Sequence, residues 1–85
     1  MSAPTDLRER VAAWCDARHD LIAAADDPIS LAEGMARDLD AAHVDVLDAF
    51  AAWLRQSAAA MAREQRAGYV DKLRREARAR KTRKI

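Results

Sequence analysis

The 85-residue chain has no asparagine, one cysteine, two glycines and two prolines, and its aromatic side chains are confined to Trp14, Phe50, Trp53 and Tyr69. Each shortage excludes something. A lone Cys15 rules out an intrachain disulfide, and His19 and His43 form no cluster with it at zinc-ligand spacing, so neither common staple of a small domain is available. So few turn formers, alongside 34 % charged residues, point to helices with solvated faces. No apolar run approaches the roughly 18 residues of a membrane span, and Met1 to Thr5 lacks the cationic and apolar regions of a secretory leader. A cytoplasmic protein is expected. The excess of Arg over Lys, 12 to 3, fits a GC-rich bacterial genome.

The fold class read from this is all-α. Apolar residues at Leu7, Val11, Trp14, Cys15, Leu21 and Ile22 follow helical spacing and predict a first helix over about 5–26, capped by Thr5 and stopped before Pro28. Ser30-Leu31-Ala32-Glu33 reads as a capping box. From there Met35, Leu39, Val46, Leu47, Phe50, Trp53, Leu54, Ala58 and Met61 predict one long second helix over about 31–67. Gly68 either ends that helix, leaving a third, or sits inside it at a cost of about 1 kcal/mol. The organisation is thus an acidic helical body, 1–70, followed by a basic C-terminal helix or tail, 71–85.

Length raises a question of cover. A chain this short buries only about 60 % of the surface its unfolded form exposes. In a hairpin turning near Pro28, the first helix spans about 33 Å, whereas residues 31–66 alone span about 54 Å. Phe50, Trp53, Leu54, Met61, Tyr69 and Leu73 then form an oligomer or partner interface, covered either by a second subunit in a helical-bundle homodimer or by a fold-back at Gly68. The homodimer is the preferred expectation.

Charge is strongly segregated. Residues 1–62 carry 5 Lys/Arg against 11 Asp/Glu, net −6, and residues 63–85 carry 10 against 3, net +7. Lys72, Arg74, Arg75, Arg78, Arg80, Lys81, Arg83 and Lys84 are the candidate ligands for nucleic acid or another polyanion, because guanidinium forks match phosphate geometry. The alternatives are a solvated tail, or one paired with Asp38, Asp45 or Asp48 of the body. Tyr69, Leu73 and Ala77 share a face too poor in bulky apolar groups for a membrane-surface helix, and Tyr69 alone makes no base-stacking platform.

Other patterns are weaker. Residues 31–50 echo a helix-turn-helix, but Asp40 stands where a turn glycine would help, and Asp45 and Asp48 would face phosphates with the wrong sign. The pairs Asp16/His19 and Asp40/His43 have i, i+3 spacing yet are offset by about 9 Å in a hairpin, so no metal site is expected. Cys15 and His19 could pair a thiol with a base, but Cys15 lies on the apolar stripe beside Trp14. No phosphate loop or catalytic triad is present, and neither an enzyme, a cofactor nor a small-molecule substrate is expected. The functional expectation is a non-enzymatic, dimeric helical protein that binds nucleic acid or another polyanion with little sequence specificity through its basic C-terminal helix. The alternative is an interaction module, whether adaptor, inhibitor or small subunit, that docks its apolar stripe on a larger protein with Trp53 as anchor.

Overall fold

The computed structural model describes residues 6–57 and 62–82, and 86 % of these are helical. Five helices follow one another: α1 (Leu7–Ala17), α2 (His19–Ala24), α3 (Pro28–Leu39), α4 (His43–Gln56) and α5 (Arg63–Thr82). The all-α expectation holds, with no strand among the described residues.

Two helices stand where one was expected over 5–26. The break at Arg18 has a local cause: its guanidinium Nη1 donates to the Trp14 carbonyl at 3.2 Å and stacks over the Trp14 ring at 4.2 Å. That carbonyl is the one the Arg18 backbone N–H would take in a continuous helix; the N–H instead donates to Cys15 O at 3.0 Å, a tighter turn. At the other end of α1 the cap is Asp6, whose carboxylate accepts from the Arg8 N–H at 3.4 Å; Thr5 lies outside the described residues.

The third helix also starts earlier than the capping box implied. Asp27 is its N-cap, accepting from the Ile29 N–H at 3.1 Å and the Ser30 hydroxyl at 2.9 Å, and Pro28 occupies the first helical position, where its missing N–H costs nothing. These two hydrogen bonds, Ser30 first, hold the Asp27 carboxyl below its ordinary pKa.

The single helix expected over 31–67 is interrupted twice. At Asp40 the backbone is left-handed, φ 53° and ψ 52°, with Asp40 N–H on Arg37 O at 3.3 Å and Ala41 N–H on Ala36 O at 3.0 Å, the paired bonds of a Schellman end. Aspartate tolerates this conformation better than most residues, so it serves where glycine is the usual choice. The second interruption follows Gln56: Ser57 is extended and its carbonyl accepts from Arg66 Nη1 at 2.5 Å. Ala58 and Met61 lie outside the described residues. The chain therefore turns back well before Gly68, which sits inside α5 with a helical backbone.

Packing follows from α4. Val46, Leu47, Ala49, Phe50, Ala51, Ala52, Trp53 and Leu54 are all buried, so α4 hides most of its circumference, keeps a polar strip of Asp45, Asp48 and Arg55 in water, and sits at the centre of the bundle. It packs against α1, α3 and α5. From α5 come Tyr69, Leu73 and Ala77, spaced i, i+4, i+8 on the one buried face of an otherwise polar helix. Val11, Cys15, Ile22, Ala32 and Met35 complete the core, and Phe50 and Trp53 pack with ring centroids 6.3 Å apart. Polar ties cross between elements. Trp14 Nε1 donates to Asp38 at 2.9 Å, Trp53 Nε1 to Asp16 at 3.0 Å, Arg10 Nη2 to the Leu39 carbonyl at 2.6 Å, and the Tyr69 hydroxyl to the Ala25 carbonyl.

The division into a body of 1–70 and a separate segment from 71 has no counterpart in this packing, since Leu73 and Ala77 belong to the same core as α4. The stripe assigned to an interface is likewise internal: Phe50, Leu54 and Leu73 are buried, Tyr69 is 7 % and Trp53 8 % exposed, and Leu21 is the one large apolar side chain exposed among the described residues. The physical reason given for a second subunit, an uncovered stripe, is removed because α5 supplies the cover.

Two substitutions test this arrangement. A Cβ at Gly68 meets nothing within 4 Å, so Gly68→Ala should raise stability in chemical denaturation by roughly 0.5–1 kcal/mol. Leu73→Ala should cost about 2–5 kcal/mol, enough to unfold a domain this small; a near-neutral effect would mean that α5 does not close the core.

Candidate polyanion-binding surface

Helix α5 buries one narrow stripe and turns the rest of its circumference to solvent, and its cations divide between two sides. Lys72 lies on the side of the α3 cap, where its charge helps lower the Asp27 pKa, and Arg80 acts on His43 at the start of α4. On the other side runs the seam between α5 and α4. One groove there is lined by Arg55, Arg63, Arg66 and Arg74 together with Ala67, Val70 and Asp71. A second is lined by Arg8, Asp48, Ala51, Arg55 and Arg74, and a third by Asp48, Arg74, Ala77, Arg78 and Lys81. Arg74 borders all three, so they join into one seam along α5.

The expected polyanion ligands are thus not equivalent. Arg75 pairs with Asp71 at 2.9 Å, Arg80 with Glu76 at 3.1 Å, and Lys81 with Asp48 at 3.5 Å. The last is one of the tail-to-body pairings the sequence suggested, although both side chains are more than half exposed and such pairs contribute little. Arg74 forms no ion pair with a described residue and is exposed, while Arg83 and Lys84 lie outside the described residues. Four further cations, Arg8, Arg55, Arg63 and Arg66, belong to the seam and escaped the sequence reading. Arg8 and Arg55 belong to the net acidic residues 1–62, and only the fold-back of α5 brings them beside Arg74. Arg63 and Arg66 open α5, where their charges add to the positive end of its dipole.

The other candidate patterns do not assemble. The helix-turn-helix echo does contain a turn, at Asp40, but its second helix is α4, whose buried faces cannot enter a DNA groove. Burial, reinforced by Asp16 and opposed by Arg18, pushes the Cys15 thiol up to about 12, and its Sγ lies 3.8 Å from Met35 Sδ. His19 contacts Asp20 at 3.1 Å instead of the thiol. No three His, Cys, Asp or Glu side chains converge among the described residues, and no helix is long and apolar enough to cross a membrane.

His43 has a different consequence. Its Nε2 is buried with no hydrogen-bond partner among the described residues, and burial, then Arg80, lowers its pKa below the ordinary 6.5, against smaller opposing effects of Glu33 and Glu76. The unfolded chain takes up the proton first, so stability is intact above pH 6.5 and is lost as pH falls below it. Denaturation midpoints measured at about pH 7 and about pH 5.5 should fall for the unmodified chain and hardly move for His43→Gln. Equal falls would assign the acid sensitivity to carboxylates. Comparison with protein-family models, with curated proteins and with solved structures finds no match to this chain.

Proposed function

We propose that this protein is a small, non-enzymatic helical binding protein that engages the phosphate backbone of nucleic acid, with little sequence specificity, through α5 and the cations beside it. The observation that carries the reading is the continuous seam in which Arg8, Arg55, Arg63, Arg66, Arg74, Arg78 and Lys81 meet from three helices with only Asp48 and Asp71 of opposite sign. A concentration of guanidinium groups on one face is the electrostatic footprint of backbone binding. The aromatic side chains are engaged elsewhere, Trp14 with Asp38, Trp53 with Asp16 and Tyr69 with Ala25, so base stacking has no platform and sequence preference no reader. The interaction-module alternative relied on an exposed stripe around Trp53 and Leu54, which is buried, so no observation favours it.

Binding to a mixed-sequence DNA duplex, followed as a function of salt, tests the reading. With about four to six phosphate contacts, log affinity against log salt should fall with a slope of roughly −4 to −5, at about −0.9 per contact. Shuffling the duplex sequence should leave affinity unchanged. Absence of salt-dependent binding, or strong preference for one sequence, would refute it. Removing 71–85 is not a usable control, because Leu73 and Ala77 go with the cations.

A further inference from the structure

Resting on that reading, we infer that a single phosphodiester backbone lies along the α4–α5 seam, held chiefly by Arg55, Arg63 and Arg74, and that Asp48 weakens its own protein's grip from within the seam. The C-terminal cluster from Lys72 onward, the densest run of charge in the sequence, is then not the principal contact.

Three observations select this path. The first is which cations are already engaged: Arg75, Arg80 and Lys81 each hold a carboxylate, whereas Arg55, Arg63 and Arg74 form no ion pair with a described residue. A phosphate meeting the second group displaces no carboxylate. The second is position. Arg55 projects from α4 and Arg63 and Arg74 from α5, so the groove has cations on both walls, while Lys72 and Arg80 lie on the far side of α5 toward Asp27 and His43. A strand held by both walls is fixed in direction along α5. Arg63 to Arg74 spans about 16 Å of helix, long enough to face several successive phosphates of one strand. The third is the placement of acid. Asp48 borders two of the three grooves and holds Lys81 at 3.5 Å, so it both repels an incoming phosphate and occupies a cation that would otherwise face it. Its pair with Lys81 is too exposed to matter for folding.

Matched pairs of variants separate position from net charge. Arg55→Gln and Lys72→Gln each remove one positive charge, one inside the seam and one on the far side; Asp48→Asn and Asp20→Asn each remove one negative charge, one inside the seam and one on α2 with its side chain 99 % exposed. Fluorescence anisotropy with the mixed-sequence duplex should show Arg55→Gln weakening binding about five- to tenfold and making the salt slope shallower by about 0.9, with Lys72→Gln changing affinity about twofold or less. Asp48→Asn should tighten binding about threefold or more and Asp20→Asn leave it unchanged. The gain at Asp48 is a result that damage to the fold cannot imitate, and thermal melts of all four variants confirm folding. Equal responses within each pair, with strong binding by the unmodified chain, would overturn the seam and leave the function standing. Failure of the unmodified chain to bind duplex in a salt-dependent way would remove the function and the seam together.

Discussion

A helix that buries most of its circumference has to be enclosed, and the enclosure of α4 is the constraint on which the rest of this structure depends. Eight of its fourteen residues are buried, distributed over more than one face. Neither α1 nor α3 alone can cover such a surface, and a further helix has to complete the task. Helix α5 does so with Tyr69, Leu73 and Ala77. Because that stripe is narrow, the remaining circumference of α5 stays in water, and this is why a helix so rich in Arg and Lys can be part of a core-forming bundle at all.

Much of this was legible in the sequence, and the failures have identifiable causes. Apolar spacing located most of the large core residues, since periodicity reports which side chains face inward whatever they face. It also placed the exposed Leu21 on the stripe and passed over the buried Ala32, Ala49, Ala51 and Ala52. It did not locate the turns. Helical spacing continues in register across Asp40, where a left-handed aspartate ends α3 without glycine or proline to mark it. At Arg18 the break depends on a side chain taking its own helix's carbonyl, a competition that no residue-type rule signals. After Gln56 the helix ends at Ser57 with neither glycine nor proline to mark it, while the one punctuation mark nearby, Gly68, lies inside a helix that tolerates it. Once the second turn was missed, the stripe from Phe50 to Leu73 looked uncovered and a second subunit looked necessary. The candidate site suffered from the same omission: Arg8 and Arg55 become neighbours of Arg74 only when α5 returns along α4.

The segregation of charge acquires a different meaning in three dimensions. In sequence it divides an acidic body from a basic end, and the natural picture is of a tail free to wrap around a partner. In the fold the basic end is one wall of the bundle, tied at Leu73 and Ala77 and by the Tyr69 hydroxyl on Ala25, and its cations are sorted by what lies across from them. On one side they meet Asp27 of the α3 cap and the imidazole of His43; on the other they meet Arg55 of α4 and Arg8 of α1, where like charges gather around the acid Asp48.

Gathering like charges raises the energy of the unliganded protein, and the arrangement of α5 adds to this by placing Arg63 and Arg66 at the positive end of the helix dipole. A disordered tail would relax such repulsion by spreading out, and would then have to be ordered when an anion arrived, at a cost in conformational entropy. Cations fixed to helices cannot relax in that way. Their repulsion is maintained by the burial of Leu73 and its neighbours, so the hydrophobic core in effect holds the seam in the state an anion would complete. An anion bound there relieves repulsion without ordering much chain. The same coupling runs in reverse: phosphate contacts along the proposed seam would bridge α4 to α5, and any ligand that binds only the folded chain stabilises it by mass action. For a domain this short, with no disulfide to close it, the proposed polyanion would then be a determinant of stability as well as of function.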